Sequence, residues 1–404
     1  MAQLPRGEEA PADGLIPAAF DSSNSSFHAY VHIPYCLTRC GYCDFNTYTA
    51  SELGGNSRSE YYQQVIKEIE FSKKVLDQSG IKPRPISTIF FGGGTPTLLP
   101  PHDLLRVVDA ISGRFALERG CEITVEANPD SVTKESLATL RAGGVNRISF
   151  GMQSAVPHVL QVLDRTHRSE NLVSATQWAR EVGFTHISVD LIYGTPRETL
   201  NDWQSSIDAA LALPIDHISA YALIVEKGTK LARKVESGEI TMPDDDETAE
   251  KYRMADDAFS AAGFTWYELS NWARPGGQCR HNIAYWKNDE WWGLGPGAHS
   301  HIENSRWWNV KHPQTYRGKI AASQNPIQER EELSIDNQKT EALMLEIRMS
   351  EGIALAKFSS EQAIIAEKYL ASSHLDHKKW EQGKLVLTQS GRLIADRIVR
   401  ELLV

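Results

Sequence analysis

Three cysteines, Cys36, Cys40 and Cys43, constrain this chain most; they stand directly behind a short apolar run, Tyr30-Val31-His32-Ile33. Gaps of three and then two residues let one loop bring three thiols to a common place. Thiolates are the ligands of iron–sulfur clusters, and four of them normally saturate a four-iron cube, one to each iron. Three thiolates leave one iron open to a ligand from outside the protein. Tetrahedral zinc asks for a fourth Cys or His in a paired spacing, and no second C-x-x-C exists here. His32 is near, but it sits within a strand pattern. Five Cys in 404 residues are too sparse, and odd in number, for a disulfide framework, which suits a reducing compartment. The loop reads as a three-thiolate [4Fe–4S] site.

Beyond it, β-rich apolar runs alternate with helical periodicity. Ser57 and Glu60 have capping-box spacing ahead of Tyr62, Val65, Ile66 and Ile69, which recur on one helical face. Strand patterns follow at 88–91, 123–125, 148–150, 187–192 and 217–222, with helical pattern between them. With the run at 30–33 this predicts an α/β fold, a partial (β/α)6 barrel over 28–230 with right-handed crossovers. The conspicuous polar and glycine residues all fall at the C-terminal ends of these strands: the cysteines, Gly92-Gly93-Gly94-Thr95-Pro96-Thr97, Glu126, Gln153 and Asp190. That edge is where parallel α/β folds hold ligands, and a glycine triplet lets backbone approach one closely.

The rhythm changes after about residue 230. An acidic run, Asp244-Asp245-Asp246-Glu247, opens a helix over 248–262, favourably placed at the positive end of its dipole. A strand at 266–269 precedes an aromatic, glycine-rich stretch that makes 231–330 a barrel extension. Seven of the ten Trp lie between Trp266 and Trp308, around Cys279 and His281-Asn282-Ile283-Ala284-Tyr285-Trp286. Residues 331–404 read as a mainly helical, winged-helix-like lobe, with a small hairpin near 384–388 and a last helix over 390–403. Residues 1–27 read as a disordered leader, without the marks of a signal or transit peptide, which points to the cytoplasm. A net charge of −10 argues against nucleic acid as a partner, and no run approaches the ~18 apolar residues of a membrane span.

The cysteine spacing, with the glycine segment one strand later, resembles the radical S-adenosylmethionine (SAM) superfamily, in which the open iron is chelated by SAM. From residue 28 onward the chain further resembles the family of oxygen-independent coproporphyrinogen III oxidase. That resemblance implies SAM contacts at Tyr30, Gly93, Gly94, Thr95, Glu126, Gln153, Arg165 and Asp190, with Tyr42 packed beside the cluster. The oxidases of that family carry a further Cys two residues after the third cluster Cys, where this chain has Phe45, and a longer N-terminal element. The heme-chaperone branch bears His-Asn-x-x-Tyr-Trp, which this chain matches at 281–286.

The chaperone resemblance implies heme as a bound porphyrin cofactor, acceptor heme proteins (respiratory ones among them) as partners, and a homodimer linked to cluster assembly. His281 is then a candidate iron ligand, and Asn282, Tyr285 and Trp286 candidate heme contacts, since His ligates heme iron and aromatic rings supply flat walls. Cys279, His299 and His301 are further candidate ligands; Cys121 reads as structural. Two rival readings are an oxidative decarboxylase of coproporphyrinogen III and a radical SAM enzyme on another substrate. Phe45 counts against the first and the His-Asn-x-x-Tyr-Trp match against the second.

Overall fold

The structure, a computed structural model, describes residues 7–17, 25–53 and 58–403. Six strands pair in parallel in chain order: β1 (Phe27–Ile33), β2 (Ile86–Gly93), β3 (Leu117–Ala127), β4 (Arg147–Gln153), β5 (His186–Tyr193) and β6 (His217–Ala222). Helices make the crossovers, among them Tyr61–Gln78, Pro101–Arg114, Lys134–Ala142, Ser169–Glu181 and Leu200–Leu211. Successive strand residues point to opposite faces. One set, including Val31, Ile89, Phe91, Val125, Ile148, Phe150, Val189 and Ile218, has no exposed surface and packs in the main apolar core. The other set, including Tyr30, Thr124, Glu126, Ser149, Asp190 and Ser219, lines a polar interior chamber. The expected α/β partial barrel is present, with its polar face inward.

The sheet runs on past both edges of the six, to thirteen strands among the described residues. Glu290–Leu294 lies parallel to β1, a seventh parallel strand that the sequence reading left within its aromatic stretch. Beyond it come His299–Ile302, Ser305–Asn309 and Ile327–Glu332, all antiparallel. On the far side Asn271–Ala273 pairs antiparallel with β6 and is followed by Thr265–Glu268. The acidic run does open a helix, Asp245–Ala261, with Asp244 accepting from the Glu247 N–H as its cap.

Two expectations need correction. The leader is not free over 7–17: Glu8–Glu9 pairs with Ile327–Glu332, Ile16 is buried, and its N–H donates to Ser79 Oγ at 2.9 Å. The partner strand lies more than three hundred residues away, so no local pattern announces the docking. Ser57, expected to cap the first crossover helix, lies outside the described residues. In the C-terminal lobe, Lys384–Leu385 pairs with Ile353–Ala354 and does not form a local hairpin, and the last helix divides into Gln389–Arg392 and Ala395–Leu402. The lobe has its own apolar core, built on Ile347, Leu385, Leu387, Ile398 and Leu402. Among the described residues no helix is long and apolar enough to cross a membrane.

Arg392 is one of the contacts that fasten the lobe to the barrel, beside the Ser350 N–H on Tyr267 O and Gln389 on Asp256 and Asp257. Its buried guanidinium donates to the Asp256 carboxylate and to the Tyr252 hydroxyl, both at 2.9 Å, and lies 4.4 Å over the Trp266 ring. Removing one partner of such a pair leaves a buried charge uncompensated, at a cost of about 3–5 kcal/mol. Arg392→Ala is therefore expected to lower stability by about that amount. Chemical denaturation followed by tryptophan fluorescence checks this, and a change under about 1 kcal/mol would show that the contact does not hold the lobe.

Candidate cofactor site and aromatic cleft

The cysteine loop leaves β1 at Pro34 and returns beside it. Cys36 N–H donates to Tyr48 O at 3.0 Å and Tyr48 N–H to Pro34 O at 2.7 Å, closing the loop at its neck. The glycine segment is stitched to the same neck, with Gly94 N–H on Ile33 O at 2.7 Å and Thr95 N–H on Tyr35 O at 2.8 Å. A Cβ on Gly94 would stand 2.5 Å from Tyr35 O, and Gly93 has φ +108° with His32 just as near. Only glycine allows β2 to lie this close to the thiols.

Cys36, Cys40 and Cys43 line one cavity together with Tyr42, Gly93, Gly94, Thr95, Glu126, Gln153, Arg165 and Asp190. Eight of the nine residues expected around SAM are thus gathered at the C-terminal edge of β2 to β5. Tyr30 is the exception. It lies one layer deeper, with its hydroxyl 3.0 Å from His32 Nδ1 and its ring stacked on Phe90, and it lines the neighbouring spaces instead. Sequence reasoning missed Asn128, Asp130, Ser131 and Thr166, which also line the cavity. They follow strand ends, where loop and cap roles are the ordinary reading of such residues.

The electrostatics of this cavity are set by burial. Glu126 is pushed up to about 8 by burial and then by the charge of Asp190, while the Gly93 N–H, 3.2 Å from Oε2, pulls it back. Asp190 is pushed up to about 6 by burial, against hydroxyl donation from Ser219 and Ser149. Burial also raises the Cys36 thiol, and carries Cys43 to about 11. Arg165 brings the balancing cation: Nη1 is 3.6 Å from Cys40 Sγ, Nη2 donates to Gly151 O at 2.9 Å, and the buried Nε meets no partner among the described residues. Gln153 holds φ 61°, a strained state for a residue with a side chain, at the end of β4.

These residues fit a [4Fe–4S] cluster with SAM. Among the described residues no three His, Cys, Asp or Glu side chains close on the spacing of a single ion, whereas a cube takes one thiolate at each of three separate irons. The cation and unpaired Nε of Arg165 suit an anionic cluster or the carboxylate of SAM, and the glycine backbone suits close approach. Cluster assembly must displace the thiol protons that burial favours.

The His-Asn-x-x-Tyr-Trp segment forms the helix Arg280–Trp286, laid on the inner face of β2 and β3. His281 is buried, its Nδ1 2.6 Å from Thr88 Oγ1 and its Nε2 3.0 Å from the Tyr285 hydroxyl, with Phe90 stacked on the ring at 4.9 Å. Both ring nitrogens are thus within hydrogen-bond reach of neighbours, which makes His281 a hub of the inner face in this structure. Asn282 donates to Glu268 Oε1 at 3.0 Å, and Trp286 also hydrogen-bonds to that buried carboxyl. Cys279 is buried with its thiol 3.6 Å from Glu122 Oε1 and pushed up to about 12 by burial, which keeps it from acting as a thiolate. Cys121 is likewise buried. His301 is buried edge-on to Trp291. His299 and Trp291, by contrast, line an open cleft beside the thiol cavity, together with Tyr30, Phe45 and Tyr285.

Two outcomes are expected. After anaerobic reconstitution, Cys36→Ala, Cys40→Ala and Cys43→Ala each lose most of the bound iron and sulfide, while Cys121→Ala and Cys279→Ala keep it; iron analysis and visible absorbance decide. The second concerns Glu126, whose folded pKa of about 8 stands above its ordinary 4.5. The fold then holds a proton that the unfolded chain has released, so this group's stability contribution is full below 4.5 and is lost as pH rises through about 8. Relative to Glu126→Gln, the ligand-free wild type should lose stability across that window and change little above it, as thermal unfolding at stepped pH would register.

Comparison with known proteins agrees with this geometry. The profile of the Radical SAM superfamily matches residues 30–210. Heme chaperone HemW of Mycobacterium tuberculosis is 46% identical over 395 residues, covering 98% of this chain and 99% of that protein. Heme chaperone HemW of Bacillus subtilis is 33% identical over 378 residues, covering 92% of this chain and 97% of that one. The solved structure of coproporphyrinogen III oxidase (HemN) from Escherichia coli, a radical SAM enzyme, superposes with a TM-score of 0.78 at 20% identity, over 94% of this chain and 90% of its own; it shares the fold. With its three-cysteine loop, its glycine segment and its end-to-end similarity to these chaperones, the chain belongs to the HemW heme chaperone family of the radical SAM superfamily.

Proposed function

We propose that this protein binds heme and hands it to acceptor proteins, respiratory heme proteins among them, on a scaffold that holds a [4Fe–4S] cluster and SAM. The observation that carries the reading is the 46% identity to a heme chaperone across 98% of the chain. Cys36, Cys40 and Cys43 would hold the cluster; Gly93, Gly94, Thr95, Glu126, Gln153, Arg165 and Asp190 would surround SAM, with Tyr42 beside the cluster. When bound, the cluster supplies a one-electron donor to the sulfonium of SAM. The chain's own residues do the rest: Arg165 offsets negative charge at the thiols, the glycine backbone admits SAM, and Glu126 and Asp190 offer one neutral and one titrating carboxyl near neutrality. In such sites the protein's part is binding, orientation and exclusion of competing reactions. A cytoplasmic location and a homodimer belong to the same proposal.

The oxidase reading draws on shared fold alone, and Phe45 stands where that branch carries its extra thiol. The two are separated by one preparation. The reconstituted protein should bind heme at one per chain, release it to an apo-cytochrome in a mixing assay, and form no product from coproporphyrinogen III with SAM and reductant. Decarboxylated porphyrinogen in that assay, or no heme binding at all, would overturn the chaperone reading.

A further inference from the structure

His281 is buried with both ring nitrogens in hydrogen bonds, whereas the cleft beside the thiol cavity carries an exposed imidazole, that of His299. The cleft has a volume of about 440 Å³, and its walls include Tyr285, Trp291, His299 and Lys311. Phe45, Gly93 and Glu126 line both it and the thiol cavity, so it is a side room of the cofactor site. Aromatic side chains share its wall with polar ones, Asp44, Asn46 and Glu126 among them. Tyr285 and Trp291 meet edge to face at 4.7 Å, and Phe45 is 63% exposed at the shared rim. An exposed phenyl beside an indole is apolar surface that a flat macrocycle would cover.

His299 is set apart by its exposure: His301, on Trp291, also has both ring nitrogens unpartnered among the described residues, but it is buried. His28, His32, His217 and His281 each have both ring nitrogens within hydrogen-bond reach of another group. His299 is exposed, and neither of its ring nitrogens meets a hydrogen-bond partner among the described residues. The ring is nonetheless held in place. It stacks on the buried Trp308 ring at 5.8 Å and 28°, and the His299 carbonyl accepts the Trp291 indole N–H at 2.9 Å. Desolvation on its packed side, then Lys311 and Arg306, push its pKa down to about 4, which leaves the neutral imidazole that metal binding requires. An unpaired, neutral, positioned imidazole on an aromatic cleft is the equipment of an axial heme ligand.

We propose that heme is seated in this cleft, with His299 as its axial iron ligand, Trp291 and Phe45 covering its apolar faces and edges, and Lys311 on the side of a propionate. This rests on the chaperone reading and deepens it by naming the seat. Ligation forms one N–Fe bond from a lone pair already on the imidazole; no proton or electron is exchanged.

The test is a hemin titration of the full-length protein, followed by absorbance and electron paramagnetic resonance, with wild type, His299→Ala, His281→Phe and Trp291→Ala. The wild type is expected to show a histidine-ligated spectrum at one heme per chain. His299→Ala should lose that spectrum and bind at least about tenfold more weakly, and added imidazole should restore the wild-type signal. His281→Phe should keep the histidine-ligated spectrum even where loss of its bond to the Tyr285 wall weakens binding; Trp291→Ala should weaken binding without changing the ligand. An unchanged spectrum and affinity in His299→Ala would overturn this seat while leaving the chaperone reading intact. Absence of stoichiometric binding by wild type would overturn both.

Discussion

The rest of this structure depends on the burial of polar side chains on the inner face of a parallel sheet. Alternation along β1 to β6 fixes which residues face the helices and which face inward, and those facing inward carry hydroxyls, carboxyls, imidazoles and a guanidinium. Each costs free energy unless it finds a partner. Arg147 answers to Glu122 at 2.9 Å, Ser188 to His217, and Thr88 to His281. The interior is therefore a network in which each group's position is dictated by the others. Where that network runs out, at the C-terminal edge, the partly unpaired groups sit: the thiols, the Nε of Arg165, and the raised carboxyls Glu126 and Asp190.

The helix Arg280–Trp286 takes on a different meaning in this frame. Its backbone N–H groups at Arg280 and His281 donate to Glu122 at 3.2 and 3.1 Å, and its side chains complete hydrogen bonds for Thr88 and Glu268. It satisfies the polar inner face of β2 and β3 where bulk water would otherwise have to. The histidine and asparagine of the motif thus each complete hydrogen bonds of the fold. Tyr285 does double duty: its hydroxyl is 3.0 Å from His281 Nε2, while its ring forms part of the cleft wall. The motif supports the cleft from behind.

Much of this was legible in the sequence because it is local. The thiol spacing, the six apolar runs and the glycine triplet are each contained within about twenty residues, and strand order follows chain order, so neighbours in sequence became neighbours in space. What could not be read is non-local. Glu290–Leu294 finds its partner in β1, across the whole barrel, and its Trp-Trp-Gly-Leu pattern has no clean alternation. Tyr30 shares a strand with the cysteine loop, yet strand parity turns it toward Phe90 and His281, one layer below the thiol cavity. The hydrogen bonds of His281 to Thr88 and Tyr285 were likewise not legible, because a sequence shows a residue's chemistry without its partners. Glu68 gave no signal at all: on an amphipathic helix it reads as surface, but it is buried against Asn309, Tyr316 and the Gly295 N–H and pushed up to about 7 by that burial.

Phe45 brings these strands of argument together. It is the position at which the chain departs from the oxidase pattern, and it lies on the boundary between the thiol cavity and the aromatic cleft. A thiol there would add a polarizable, ionisable group to the rim and offer a further bond to metal or substrate. A phenyl group offers no bond, only exposed apolar area on a cleft that Trp291 and His299 also line. Glu126, on the same boundary, is pushed up to about 8, chiefly by its burial. On the proposed reading, Phe45 gives the rim of the thiol cavity an apolar edge that faces the cleft.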